Sequence, residues 1–221
     1  MSEVTITVRG EHEARVAPER ATVRVSVRTE GAGRQEVVSS VMQLAEPIRN
    51  SITERADGGG VVEWSSTQLA VRAERPWNSE GKRLAPVHHA SIDFTATFAD
   101  ASELSLWVTD VSASDGVEVG WVDWHLTAAT RTRVEQEVAA EAVRVAAIRA
   151  RAYAGAIGLK DIIPVEIADV GLISTGQPSQ GAPLMKARGG VAFAADAAPA
   201  MEYEPQEIVI SATVEARFLA R

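Results

Sequence analysis

Between Arg20 and Arg28 the chain alternates without a fault. Ala21, Val23, Val25 and Val27 take one set of positions, and Thr22, Arg24, Ser26 and Arg28 take the other. A period of two sends successive side chains to opposite faces of an extended strand, so this segment predicts a sheet with one apolar and one polar face. Sheets wetted on one side are typically antiparallel. The same pattern predicts a first strand carrying Val4, Ile6 and Val8 and stopping at Gly10. It predicts another over 86–98, with Ala90, Ile92, Phe94, Ala96 and Phe98 opposite Ser91, Asp93, Thr95 and Thr97. A last strand over 206–218 buries Ile208, Ile210, Ala212, Val214, Ala216 and Phe218. Further strands are read at 61–75, 117–126 and 162–173.

Elsewhere the period lengthens. Val37, Val41, Leu44, Ile48 and Ile52 recur every three or four residues, with Val38, Met42 and Ala45 alongside, which is the broad stripe of an amphipathic helix. Pro47 lies inside that stripe without shifting its phase, so a kink over Gln43–Pro47 is expected within one helix. Asp57-Gly58-Gly59-Gly60 ends it. A short helix at 101–113 turns Leu104, Val108 and Val111 inward. The longest helix, 128–157, is rich in alanine; its stripe is read as Val134, Val138, Ala142, Val145, Arg149 and Ala152, with Gly158 as its left-handed cap. Residues 174–204 show no period and read as a long irregular loop, a length that is usually functional in a compact domain. Strands and helices mixed in this order predict an α+β fold, mainly antiparallel sheets with a kinked amphipathic helix and a long alanine-rich helix packed on one face.

Composition limits the function classes. Among 221 residues there are 22 Lys+Arg against 30 Asp+Glu and no cysteine. The missing thiols exclude disulfides, thiolate metal sites and thiol-based peroxide chemistry. The net charge of −8 argues against nucleic acid as partner, because phosphates demand a cationic footprint. No apolar run approaches the roughly 20 residues of a membrane span, and the opening Met-Ser-Glu-Val-Thr-Ile alternates instead of forming a secretory core, so a cytoplasmic location is expected.

Three segments in this order resemble the SIMPL-domain family. They are Ile6-Thr-Val-Arg-Gly10 followed by the Pro18-Glu19 pair and its alternating strand, the alanine-spaced helix from Ala142 to Leu159, and the closing strand Ile208–Phe218. The likeness spans about residues 3–219, read as a single domain. It implies an α+β fold, a tendency to form homo-oligomers and a loose link to stress or oxidative defence. It supplies no catalytic residues, metal or cofactor. Family members include periplasmic, outer-membrane-associated and cytosolic proteins.

The chemistry-bearing residues are few. His88 and His89 are adjacent on a strand, point to opposite faces and cannot share one ion. Asp123 and His125 share a face, as a base and its orienter do, but no nucleophile motif such as Gly-x-Ser-x-Gly accompanies them. Gly58-Gly59-Gly60 follows a helix instead of opening one, so it is no phosphate cradle. Glu135, Glu137 and Glu141 lack the Glu-x-x-His companion of carboxylate metal sites and read as a solvated face pairing with Arg144. Of five tryptophans, Trp107 is assigned to the core, whereas Trp77 lies in a polar hairpin tip, Arg75–Arg83. Exposed Trp beside Arg is enriched at interfaces, so Arg75, Trp77 and Arg83 are the candidate interface. The expected function is a non-enzymatic, self-assembling protein. The alternative is a small-molecule binding module or weak hydrolase with its pocket near Asp123 and His125.

Overall fold

The computed structural model describes residues 3–173 and 204–221. In chain order the elements are β1 (Val4–Val16), β2 (Arg20–Gly31), α1 (Arg34–Asp57), β3 (Val61–Ser66), β4 (Ala70–Glu74), β5 (Val87–Phe98), α2 (Ala101–Ser112), β6 (Val117–His125), α3 (Ala128–Ala156), β7 (Ile162–Asp169) and β8 (Ile208–Ala220). Every strand pairing is antiparallel, and the fold is α+β. The elements form two compact units: β1, α3, β7 and β8 build one, and Pro18–Leu126 builds the other. The expected irregular stretch at 174–204 lies outside the described residues, apart from Glu204.

In the Pro18–Leu126 unit the sheet order is β3-β5-β2-β6, with β4 also pairing β5. The alternation of β2 does what its period requires: Ala21, Val23, Val25 and Val27 are no more than 1% exposed. They share a core with Phe94, Ala96 and Phe98 of β5 and with Val37, Val41, Ala45, Ile48 and Ile52 of α1. Helix α1 runs through Pro47 as one element. Pro47 is exposed, and so is Gln43, the residue whose carbonyl loses its helical partner, so water can satisfy that group. Trp107 of α2 is 1% exposed; its Nε1 donates to Ser51 Oγ at 3.0 Å, and its ring centroid lies 5.2 Å from that of Phe98.

The strand expected over 61–75 is two strands. Thr67 breaks it by binding Asp93 both ways: its N–H donates to the Asp93 carbonyl at 2.8 Å and its hydroxyl accepts from the Asp93 N–H at 3.0 Å. Ser66 pairs with Phe94 but Ala70 with Ser91, so three residues face two across the break, as in a bulge. The three glycines after α1 are a helix stop. Gly59, at φ +79°, donates to the Ala56 carbonyl and Gly60 to that of Arg55, the paired bonds of a Schellman motif. Gly158 closes α3 in the same way through bonds to Gly155 and from Leu159 to Ala154.

In the other unit the order is β1-β8-β7, with α3 packed on β1 and β8. Two expectations fail here for one reason. Strand β1 does not stop at Gly10 but continues to Val16, with Gly10 opposite Val214. The buried stripe of α3 is Val134, Val138, Ala142, Ala146, Ala150 and Ala154, not the expected continuation through Val145, Arg149 and Ala152. A Cβ placed on Gly10 would lie 2.0 Å from the Ala142 carbonyl oxygen and 2.9 Å from Ala146 Cβ. Close approach of helix to strand therefore demands glycine on one side and methyl side chains every fourth residue on the other. Arg149 turns outward and donates to the Arg9 carbonyl at 2.6 Å. Strand β7 ends at Asp169, earlier than the expected 173, where the Leu172 N–H turns back to the Asp169 carbonyl. The last strand sits two residues later than expected at both ends.

Candidate functional site

The hairpin tip between β4 and β5 is ordered by its own side chains. Asn78 Oδ1 accepts from the backbone N–H of Glu80 at 3.1 Å and of Lys82 at 2.8 Å. An antiparallel bridge joins Trp77 to Arg83, and the Arg83 guanidinium lies 5.0 Å above the Trp77 ring, within cation–π range. Trp77 nonetheless remains 61% exposed. Two of the three candidate interface residues, Trp77 and Arg83, are thus in contact, while Arg75 is exposed at the base of the tip.

The polar face of the Pro18–Leu126 sheet carries a row of cross-strand pairs. At one end Thr22 Oγ1 lies 2.9 Å from Thr97 Oγ1 and 2.9 Å from His125 Nε2. The other ring nitrogen of His125 is 3.4 Å from the Leu126 carbonyl. Asp123 sits opposite Thr22 in the ladder and is exposed. Next along β2, Arg24 Nη2 donates to Asp93 Oδ2 at 2.6 Å and the Ser26 hydroxyl donates to Asp93 Oδ1 at 2.6 Å. Farther on, Arg28 pairs with Glu118 at 2.6 Å. His89 lies between two carboxylates, 3.5 Å from Glu30 and 3.9 Å from Glu74, and lines a concavity of about 890 Å³ together with Arg28 and Arg72. His88, on the opposite face, has a buried Nδ1 without a hydrogen-bond partner. Among the described residues no group of three or more His, Asp or Glu could hold a metal ion. The α3 carboxylates are taken by arginines: Glu137 by Arg133 at 2.8 Å, Glu135 by Arg131 at 3.7 Å and Glu141 by Arg144.

The Ser26 hydroxyl, aided by Arg24 and Arg28 and opposed by burial, holds the Asp93 carboxyl below its ordinary value of 3.8. A carboxylate depressed on folding adds stability that is complete above its unfolded value and is lost as pH falls through the folded one. Asp93→Asn is expected to cost about 1–3 kcal/mol at neutral pH. That gap should narrow as urea unfolding is repeated from about pH 5 downward. A gap that stays constant into strong acid would contradict this account.

Residues 6–218 match the sequence model of SIMPL, described as a protein of unknown function (DUF541). The chain belongs to the SIMPL family. The two limits of the match, Ile6 and Phe218, are partners on one rung of the β1–β8 ladder. The SIMPL match therefore starts and ends at a single place in the fold and runs through both compact units. No curated protein matches the chain. Among the described residues no helix is long and apolar enough to cross a membrane.

Proposed function

We propose that this SIMPL protein is non-enzymatic and self-assembles into homo-oligomers through the Arg75–Arg83 tip. The observation that carries the reading is Trp77, 61% exposed yet held in place by Arg83 and by the Asn78 turn. An aromatic anchor already fixed in its bound geometry loses little entropy on docking, and Trp and Arg are the residues that dominate interface energetics. Mass measured by size-exclusion chromatography with light scattering is expected to exceed the 23.6 kDa chain, and Trp77→Ser is expected to shift it toward monomer without lowering the melting temperature. A wild-type monomer at tens of micromolar overturns the proposal. The stress link and cytoplasmic setting belong to the same reading. With no cysteine in the chain, any protection against oxidants works through assembly or a recruited partner. Peroxide survival of cells carrying the Trp77→Ser variant, with fractionation of the wild type, tests both points.

A second reading rests on the hydrogen bond of 2.9 Å between His125 and Thr22, the geometry of a hydroxyl beside a base. It makes the neighbourhood of Asp123 and His125 the pocket of a binding module or weak hydrolase. Under it, Thr22→Val, His125→Ala and Asp123→Ala each lower 4-nitrophenyl ester hydrolysis by about tenfold or more. Rates unchanged by all three sink it.

A further inference from the structure

Helix α1 and strands β3 and β5 line a second, open concavity of about 500 Å³, within the range of small-molecule sites. The apolar and aromatic part of its lining is Trp64 of β3, Phe94 and Ile92 of β5, and Met42 of α1. Phe94 is only 3% exposed, whereas Met42 is 57% exposed and so lines the groove without holding up the core. The rim on α1 carries two charges one helical turn apart, Glu46 and Arg49. Neither engages an ion pair among the described residues, although positions three apart on a helix are close enough to pair. Elsewhere on the helices neighbouring charges do pair, as Arg131–Glu135, Arg133–Glu137 and Glu141–Arg144 show.

We propose that this groove binds a small aromatic zwitterion of the α-amino acid class. The ring lies against Trp64 and Phe94, the ligand carboxylate faces the Arg49 fork and its ammonium faces Glu46. A planar guanidinium is the geometric match for a carboxylate, and offset or edge-on ring contacts add to the burial of the aromatic group. Opposite charges one turn apart suit a ligand that carries its ammonium and its carboxylate on the same carbon. A single-charge ligand leaves one rim group without its partner.

Isothermal titration of the full chain with L-phenylalanine, phenethylamine, hydrocinnamate and L-alanine tests this. L-phenylalanine is expected to bind at one site per chain, and each of the three truncated ligands is expected to bind about tenfold or more weakly. Arg49→Gln is expected to remove the preference over phenethylamine, and Glu46→Gln the preference over hydrocinnamate. Met42→Glu, at an exposed position, is expected to block the groove while leaving the melting temperature in place. No binding of L-phenylalanine at about 5 mM, equal binding of the truncated ligands, or binding indifferent to the Arg49, Glu46 and Met42 changes overturns the proposal.

Discussion

Gly10→Ala is expected to destabilise the fold by about 3 kcal/mol, the upper end of the usual range for overpacked cores. The added carbon would sit 2.0 Å from a backbone oxygen and 2.7 Å from a backbone nitrogen of α3, at Ala142 and Ala146. Neither atom can rotate away as a side chain can, so the helix must lift off β1. Lifting it opens the alanine seam formed by Ala142, Ala146, Ala150 and Ala154, all no more than 1% exposed. Gly155→Ala in the same helix is the control, because a Cβ there meets nothing within 4 Å. It should be neutral or stabilising by about 0.5–1 kcal/mol through helix propensity. Urea unfolding of the two variants measures the contrast, and equal midpoints would refute the close-approach account.

Trp107→Ala should cost about 3–5 kcal/mol, as for other buried aromatics cut to alanine. The indole is 1% exposed and lies against Phe98. Trp107→Phe should cost distinctly less, since it keeps an aromatic ring at the position. The Ser51 hydroxyl would also keep a partner, for it donates to the Ile48 carbonyl at 2.8 Å. A loss below about 1 kcal/mol for the alanine variant would mean that α2 does not anchor this core. Gly10 and Trp107 belong to different compact units. Under the proposal that residues 3–219 act as one domain, both variants shift a single cooperative transition, and separate transitions would count against it.

Much of the secondary structure was legible because it is written in local periods. The valines of β2 and the stripe of α1 each follow from a spacing of two or of three to four, whatever lies across from them. Trp107 could be assigned to the core because it falls on the inner side of a short amphipathic helix. The candidate tip was legible as well, since Arg75-Pro-Trp-Asn and Gly81 punctuate two alternating runs. What the chain does not spell out is Arg83 stacking on Trp77, although Asn78 and Gly81 mark the turn that permits it.

The polar face of the larger sheet was only half legible. Thr22, Arg24 and Ser26 and, separately, Asp93 and Thr97 read as outward positions. Their pairing depends on the register of β2 against β5, which sets Ser26 opposite Asp93 and Thr22 opposite Thr97. A slip of one residue would turn each of these side chains toward the helices, and no residue inside either strand alone specifies the match.

Local spacing is enough to say which residues face inward on β2 and β5 and that sheets and helices are mixed, and the absence of cysteine is enough to exclude thiol chemistry. Each of these needs only the spacing or presence of residue types along a short stretch. The tertiary structure alone decided that Gly10 is a contact point instead of a strand end, that the α3 stripe runs through Ala146, Ala150 and Ala154, and that Asp93 joins Ser26 and Arg24. Those outcomes rest on atoms brought together from more than 60 positions apart, such as Ser26 and Asp93 with 67 between their numbers, and there the deciding quantity is the distance between elements, which no local period carries.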